Sequence, residues 1–440
     1  MEDLPIHVDY LLSGATIITM NPVREILENA SIAIKGSKIA WIGDTKDVTR
    51  QFDAKHSLDC TGKLIMPGLI NVHGHWAMTL FRGMVDDITL EGWLAKVWKA
   101  EAAYMTEENV IAGAQLAMME MIRSGTTCAA DMYWHYRAST EAARRAGFRM
   151  INGPSFAEIE GFKKYRHTNQ EIATAYLDEY KDIPLVHPCV QAHSAYTTNP
   201  ELLQIVSQIA AERNLLFITH ASESVGELDM VRQKYGKRPL EVLHEHGLLG
   251  KHTLLAHCVH LTDQEIQLLA ETGTSVAHCP ASNLKLSSGI ARVSDMLKAG
   301  VNVAIGTDGA ASNNDLDLFH EAQLAALMQK GVSGDPTVLP AEKVVFMLTI
   351  DAAKAVGLQD LIGSLEVGKL ADLVVIDMDS PNLTPHYNLY SHLVYAISPH
   401  DVCHTMVNGQ MLMQDRQLLN LDEPAVKAKV CQIAKQIQAM

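Results

Sequence analysis

Eight apolar stretches, most of them followed by a helical stretch, alternate along the middle of this chain: residues 64–75, 125–132, 148–155, 184–194, 215–223, 252–260, 274–280 and 301–309. Each reads as a buried strand. Start signals mark several of the intervening helices: Thr106 before Glu107 and Glu108, Asn199 before Pro200, and a Thr262/Glu265 capping box before Ile266. In the first of these, Val110, Ala114, Ala117 and Met121 recur at helical spacing and make one apolar stripe. Eight β-then-α units over about 250 residues are the arithmetic of a (β/α)8 barrel.

The two ends have a different texture. Residues 10–20, 31–42 and 57–64 read as short strands broken by Asn21-Pro22, Gly36 and Gly62, and strands are expected again at 370–376, 392–397 and 403–412. Neither fragment can cover its own apolar face alone, so the two are expected to form one composite β-sandwich. The expected division is residues 1–65 for the first part of the sandwich, 66–365 for the barrel, and 366–440 for the rest. A final helix over 423–440 is expected to pack outside.

Composition narrows the partners. The formal charge of −15 argues against nucleic acid and against an anionic membrane, both of which reward a basic surface. A small-molecule substrate is easier to accommodate. The seven cysteines are scattered without a CxxC pair, which reads as reduced and mostly buried thiols in a cytoplasmic protein. No basic, then apolar, leader opens the chain, and no apolar run approaches the ~20 residues of a membrane span. Oligomeric state is not readable from these features, but barrels with exposed apolar helices favour a homo-oligomer.

Polar residues cluster where a barrel places chemistry, at the C-terminal ends of its strands: His73 and His75, Asp131, Ser155, His193, His220 and Glu223, His257, His278 and Asp308. The run LIMPGLINVHGH ends in two histidines one residue apart, and on a strand such residues share a face and can present two imidazoles to one point. His220, ending LLFITH, and Asp308, ending VNVAIGTD, complete a four-ligand shell for zinc. Cys258 and Cys279 each follow a histidine and point to the opposite side of a regular strand, so thiolate ligation is not implied. The fourth strand, PLVHPCVQAHS, has no lysine to bridge two metals, which favours one ion per chain. Similar shells accept several divalent metals, so zinc is a preference.

The metal's task would be to lower the pKa of a water from about 15.7 to about 7. Asp308 could then serve both as ligand and as acceptor of that water's proton. Glu223, three residues after His220, could protonate a ring nitrogen during attack on the neighbouring carbon. His257 would hydrogen-bond the nucleophile or the developing tetrahedral centre.

These residues resemble the amidohydrolase superfamily, in its 5-methylthioadenosine/S-adenosylhomocysteine deaminase-like branch. The resemblance covers nearly the whole chain and rests on MPGLINVHGH, MTLFRGMVDD, the tryptophan-to-glutamate segment ending at Glu101, THASES, LAHCVHL, HCPASNLKL and IGTDGAASNN. It implies a metal-dependent hydrolase acting on carbon–nitrogen bonds of cyclic amidines, removing ammonia from an adenine nucleoside. It implies metal binding by His73, His75, His220 and Asp308, and substrate contacts from Glu101, to ribose hydroxyls, and from His193. Glu223 and Asp308 are also expected at the substrate. His278 is expected behind the ligands, orienting the metal site.

One departure bears on the substrate. Relatives active on adenosylhomocysteine are expected to carry an arginine after strand three for the amino-acid carboxylate. Here GPSFAEIEGFKKYRH has none before Arg166. An unpaired buried carboxylate is costly, so methylthioadenosine or adenosine is favoured unless Lys163, Lys164 or Arg166 compensates. Trp76 either narrows the pocket or packs against the barrel rim. The alternatives keep the mechanism but change the ring to a pterin, guanine-type purine or s-triazine, or replace deamination by cyclic amide hydrolysis, or make the barrel non-catalytic.

Overall fold

Gly68 divides the apolar run at 64–75 between two sheets: strand Lys63–Pro67 belongs to one and strand Leu69–Asn71 to the other. Only glycine fits there, because a Cβ would lie 2.1 Å from the Thr127 side chain. The computed structural model describes residues 5–48, 52–159 and 170–439.

The barrel strands follow chain order: Leu69–Asn71, Thr126–Ala130, Arg149–Asn152, Val186–Ser194, Leu216–Ala221, Thr253–His257, Ser275–His278 and Val303–Ile305. All neighbours pair in parallel, and the short strand Ser155–Phe156 pairs with the fourth. The first and last strands meet through Val72 N–H to Ile305 O (3.4 Å) and Asp308 N–H to His73 O (3.0 Å), which closes the ring. All eight strands contribute to an interior apolar cluster that includes Ile70, Val72, Ile151, Ile218, Leu254 and Ala304, and Ala352 and Ala353 of the helix Ile350–Ala355 pack against it.

The helix caps follow the sequence signals. Thr106 accepts from Asn109 N–H, Asn199 accepts from Leu202 N–H, and Thr262 and Glu265 form a capping box. Val110, Ala114, Ala117 and Met121 are fully buried, so the stripe on helix Glu107–Arg123 faces inward. No helix among the described residues is long and apolar enough to cross a membrane.

The second sheet has nine strands drawn from both ends of the chain. Its seam is the antiparallel pairing of Lys63–Pro67 with Leu373–Asp377, and its apolar cluster joins Leu12, Ile17 and Ile32 to Leu373, Val375 and Met406. The helix Glu423–Gln438 packs against helix Glu107–Arg123.

One expected strand is a helix. Residues 392–397 lie largely in the helix Leu389–Tyr395, whose Asn388 cap accepts from Ser391 N–H (3.0 Å). A short apolar run does not separate strand from helix, and the Asn388 start signal decides it.

A candidate metal centre with an acid beside it

His73 and His75 lie beyond the end of their strand, not on it. Ile70 and Val72 belong to the barrel's interior cluster, so an unbroken strand would have turned His73 away from the interior. Pairing stops at Asn71, and a parallel bridge between Gly74 and Asp308 takes over. Asp308 likewise sits three residues past Ile305, in left-handed backbone (φ 61°), instead of on a rigid strand. These irregular turns bring four side chains from three distant segments together.

The rings of His73 and His75 lie 5.0 Å apart edge to face, and His220, on strand Leu216–Ala221, lies 4.9 Å from His73 and 5.3 Å from His75. Asp308 Oδ1 is 3.2 Å from His75 Nε2 and 3.6 Å from His73 Nε2. All four residues are buried. Their outer atoms are fixed from behind. His75 Nδ1 faces Met132 O at 2.6 Å, His220 Nδ1 faces His193 O at 2.6 Å, and Asp308 Oδ2 accepts from Ser282 Oγ (2.6 Å) and Ser312 Oγ (2.9 Å).

This arrangement fits a cation. A carbonyl only accepts, so both Nδ1 atoms carry a proton, and the Nε2 atoms of His75 and His220 face each other at 3.3 Å. His73 Nε2 is buried and has no hydrogen-bond partner among the described residues. Burial holds His73 and His220 well below the usual histidine range, helped by neighbouring imidazoles. Burial also lowers His75, but Asp308 outweighs it and raises the ring to about 9. Burial would raise Asp308, yet His75 holds it well below the carboxylate range. Two triads of donor atoms close enough for one ion, His73 with His75 and Asp308 and His73 with His220 and His257, overlap at His73, and the three nitrogens and one oxygen of His73, His75, His220 and Asp308 within them are a donor set suited to a metal ion.

His257 ends strand Thr253–His257 in left-handed backbone (φ 72°). Its Nδ1 pairs with Asn283 Oδ1 at 2.9 Å, and its Nε2 lies 3.8 Å from Glu223 Oε2. Burial raises the Glu223 carboxyl, against the charge of His257. The Glu223 loop is held by buried Glu227, whose carboxylate accepts from Ser222 N–H (3.0 Å) and Glu223 N–H (2.6 Å).

Glu101 comes from helix Leu90–Tyr104 and is fully buried. Tyr133 Oη donates to its Oε1 (2.6 Å) and Trp134 Nε1 to its Oε2 (3.3 Å). Burial pushes the carboxyl up to about 7 despite both donors. His193 lines the same pocket, with Nδ1 3.1 Å from Thr197 Oγ1; burial lowers its pKa to about 3 and keeps it neutral. The pocket joins His75, His220, Glu223, His257 and Asp308 to Glu101, and its wall includes Trp93, Trp98, Tyr196 and Ser155.

Five expectations meet a different arrangement or fall outside the described residues. Neither nitrogen of His278 has a hydrogen-bond partner among the described residues, so it does not orient the ligands by hydrogen bonding. Burial lowers its pKa to about 3. The backs of the ligands are held instead by Met132 O, His193 O, Ser282 and Ser312. Cys258 is not on a regular strand (φ 50°), so the alternation argument does not apply to it, although neither it nor Cys279 joins the donor cluster. Trp76 is fully buried edge-on to Phe148 (5.8 Å) and packs in the apolar cluster that holds Ala114, Ala117 and Met121 of helix Glu107–Arg123, outside the pocket wall. Asp131 also lies behind the site, its Oδ1 accepting from Trp76 N–H (2.9 Å). Lys163, Lys164 and Arg166 lie outside the described residues.

Sequence reasoning passed over Tyr133, Trp134, Asn283, Ser282 and Ser312. The last three stand inside HCPASNLKL and IGTDGAASNN, where their hydroxyl and amide groups close to His278 and Asp308 were the available signal.

A profile described as "Amidohydrolase family" matches residues 64–412. The chain is 42% identical over 441 residues to a 5-methylthioadenosine/S-adenosylhomocysteine deaminase of Syntrophobacter fumaroxidans, covering 98% of this chain and 99% of the relative. It is 43% identical over 392 residues to the protein of that name from Haloarcula marismortui, covering 87% and 88%. Among solved structures, an adenosine deaminase from Xanthomonas campestris with bound zinc superposes with a TM-score of 0.95 at 34% identity, covering 99% of this chain and 100% of that one.

Proposed function

The chain belongs to the amidohydrolase family, and from that premise we propose that it hydrolytically deaminates an adenine nucleoside, methylthioadenosine or adenosine in preference to adenosylhomocysteine, with one zinc ion per chain. The observation that carries this reading is the Glu223 carboxyl, only 13% exposed, facing His257 across 3.8 Å in a pocket that also carries His75, His220, Asp308 and Glu101. The names of the relatives support the same reaction.

His73, His75, His220 and Asp308 would hold the ion. When bound, it supplies Lewis acidity, lowering the pKa of a water to about 7 so that a nucleophile exists at neutral pH. The protein's own groups do the rest. Asn283 keeps the proton of His257 on Nδ1, so Nε2 is the atom turned toward the attacking oxygen. Asp308 Oδ1, its carboxylate anchored through Oδ2 by two serines, accepts the proton that the nucleophile gives up. Glu223, kept protonated more readily by burial, donates to the ring nitrogen next to the carbon under attack, and the proton collected by Asp308 passes to the exocyclic amine, whose bond to that carbon breaks as it leaves as ammonia. Glu101 binds the sugar hydroxyls, and neutral His193 contacts the substrate from the pocket wall.

The pocket lining contains no lysine or arginine among the described residues, which favours a neutral 5′ substituent over a carboxylate. The test is incubation with methylthioadenosine, adenosine and adenosylhomocysteine. Ammonia release with a shift from adenine to hypoxanthine absorbance, fastest with one of the first two, is expected. No spectral change with any adenine nucleoside, in protein shown to contain zinc, would remove the reading.

A further inference from the structure

Glu101 carries one donor on each carboxylate oxygen, and the donors are consecutive residues from the turn after strand Thr126–Ala130. Trp134 Nε1 can only donate, which marks Oε2 as an acceptor whatever the proton does elsewhere. Tyr133 Oη, at 2.6 Å from Oε1, makes a short contact of the charge-assisted kind. A carboxylate oxygen has two lone-pair directions, and each is occupied once here, so the group still offers one acceptor position on each of two adjacent oxygens. That is the complement of two hydroxyls on neighbouring carbons. The indole that supplies the second donor is itself placed against the pocket wall, lying parallel to the His193 ring at 6.1 Å and 10°. A rotation of Glu101 toward a single-point contact would forfeit one of the two bonds.

We propose that Tyr133 and Trp134 are positioning residues that hold Glu101 as a two-point acceptor for a vicinal diol, and thereby set a preference for ribonucleosides over nucleosides lacking the 2′ and 3′ hydroxyls. This rests on the reading of the protein as an adenine nucleoside deaminase. Neither residue touches the reacting carbon, so the effect falls on binding and on diol discrimination, with the chemical step spared.

The test compares Tyr133→Phe and Trp134→Phe with the unaltered protein, using adenosine and 2′,3′-dideoxyadenosine, with metal content and near-ultraviolet circular dichroism as checks on folding. For each variant KM for adenosine should rise on the order of tenfold while kcat stays within about threefold. KM for the dideoxy analogue should stay put. The substitution Trp134→His, which returns an N–H donor to a smaller ring, should recover part of the discrimination, and it serves as the second arm if Tyr133→Phe does not fold. An equal change for both nucleosides, or no change for either, overturns the proposal and leaves the deaminase reading intact. An unaltered, zinc-containing protein that neither binds nor turns over any adenine nucleoside overturns both.

Discussion

Arg149 and Asp372, 223 positions apart, form a fully buried two-point ion pair at 2.7 and 3.0 Å that ties the third barrel strand to the sheet built from the chain ends. The same aspartate accepts from Asn408 N–H (2.7 Å), and its backbone carbonyl accepts from Gly68 N–H (3.1 Å), where the chain crosses between sheets. Removing one partner strands a buried charge. Arg149→Met should therefore lower unfolding free energy by about 3–5 kcal/mol, while replacing both partners with apolar residues should cost much less. Chemical denaturation of the single and double variants measures the difference.

Glu223→Gln keeps the size and loop contacts of the side chain but removes the proton to be donated. Activity should fall by about 10²–10⁴-fold with metal content and melting temperature unchanged. Activity within a few-fold of the unaltered protein would contradict the assigned role.

Asn283 holds the tautomer of His257 through the 2.9 Å bond at Nδ1. Asn283→Leu should cost on the order of 10–100-fold in kcat/KM, the usual penalty for losing such a support, without loss of bound metal. Steady-state kinetics beside metal analysis separates this from a general disruption of the site.

Glu101 titrates near 7 because burial outweighs its two donors. A raised carboxyl pKa means the anion forms only as pH rises through about 7, so the two-point acceptor is lost below it. Other ionisations affect all substrates alike, which makes a ratio the cleaner readout. The ratio of kcat/KM for adenosine to that for 2′,3′-dideoxyadenosine should fall as pH drops from 8 to about 6. In Glu101→Gln the ratio should be small and flat.

Much of this was legible in the sequence because the signals were local. Caps at Thr106, Asn199 and Thr262 fix helix starts within four residues, and the strand-ending histidines stand beside apolar runs that can only be buried. What escaped depends on backbone irregularity or on long separation. The left-handed turns at His257 and Asp308 involve non-glycine residues, which carry no compositional mark. The Arg149–Asp372 pair joins segments that no periodicity connects. Tyr133 and Trp134 read as ordinary aromatic residues until Glu101, from another helix, is placed against them.

The account turns on one cation gripped by His73, His75, His220 and Asp308, and metal stoichiometry linked to turnover tests it most directly. Protein purified without added metal should carry close to one zinc per chain, lose methylthioadenosine deamination on chelation, and regain it in proportion to zinc returned; His220→Ala should bind little and stay inactive. Full deaminase activity in protein proven metal-free would contradict it.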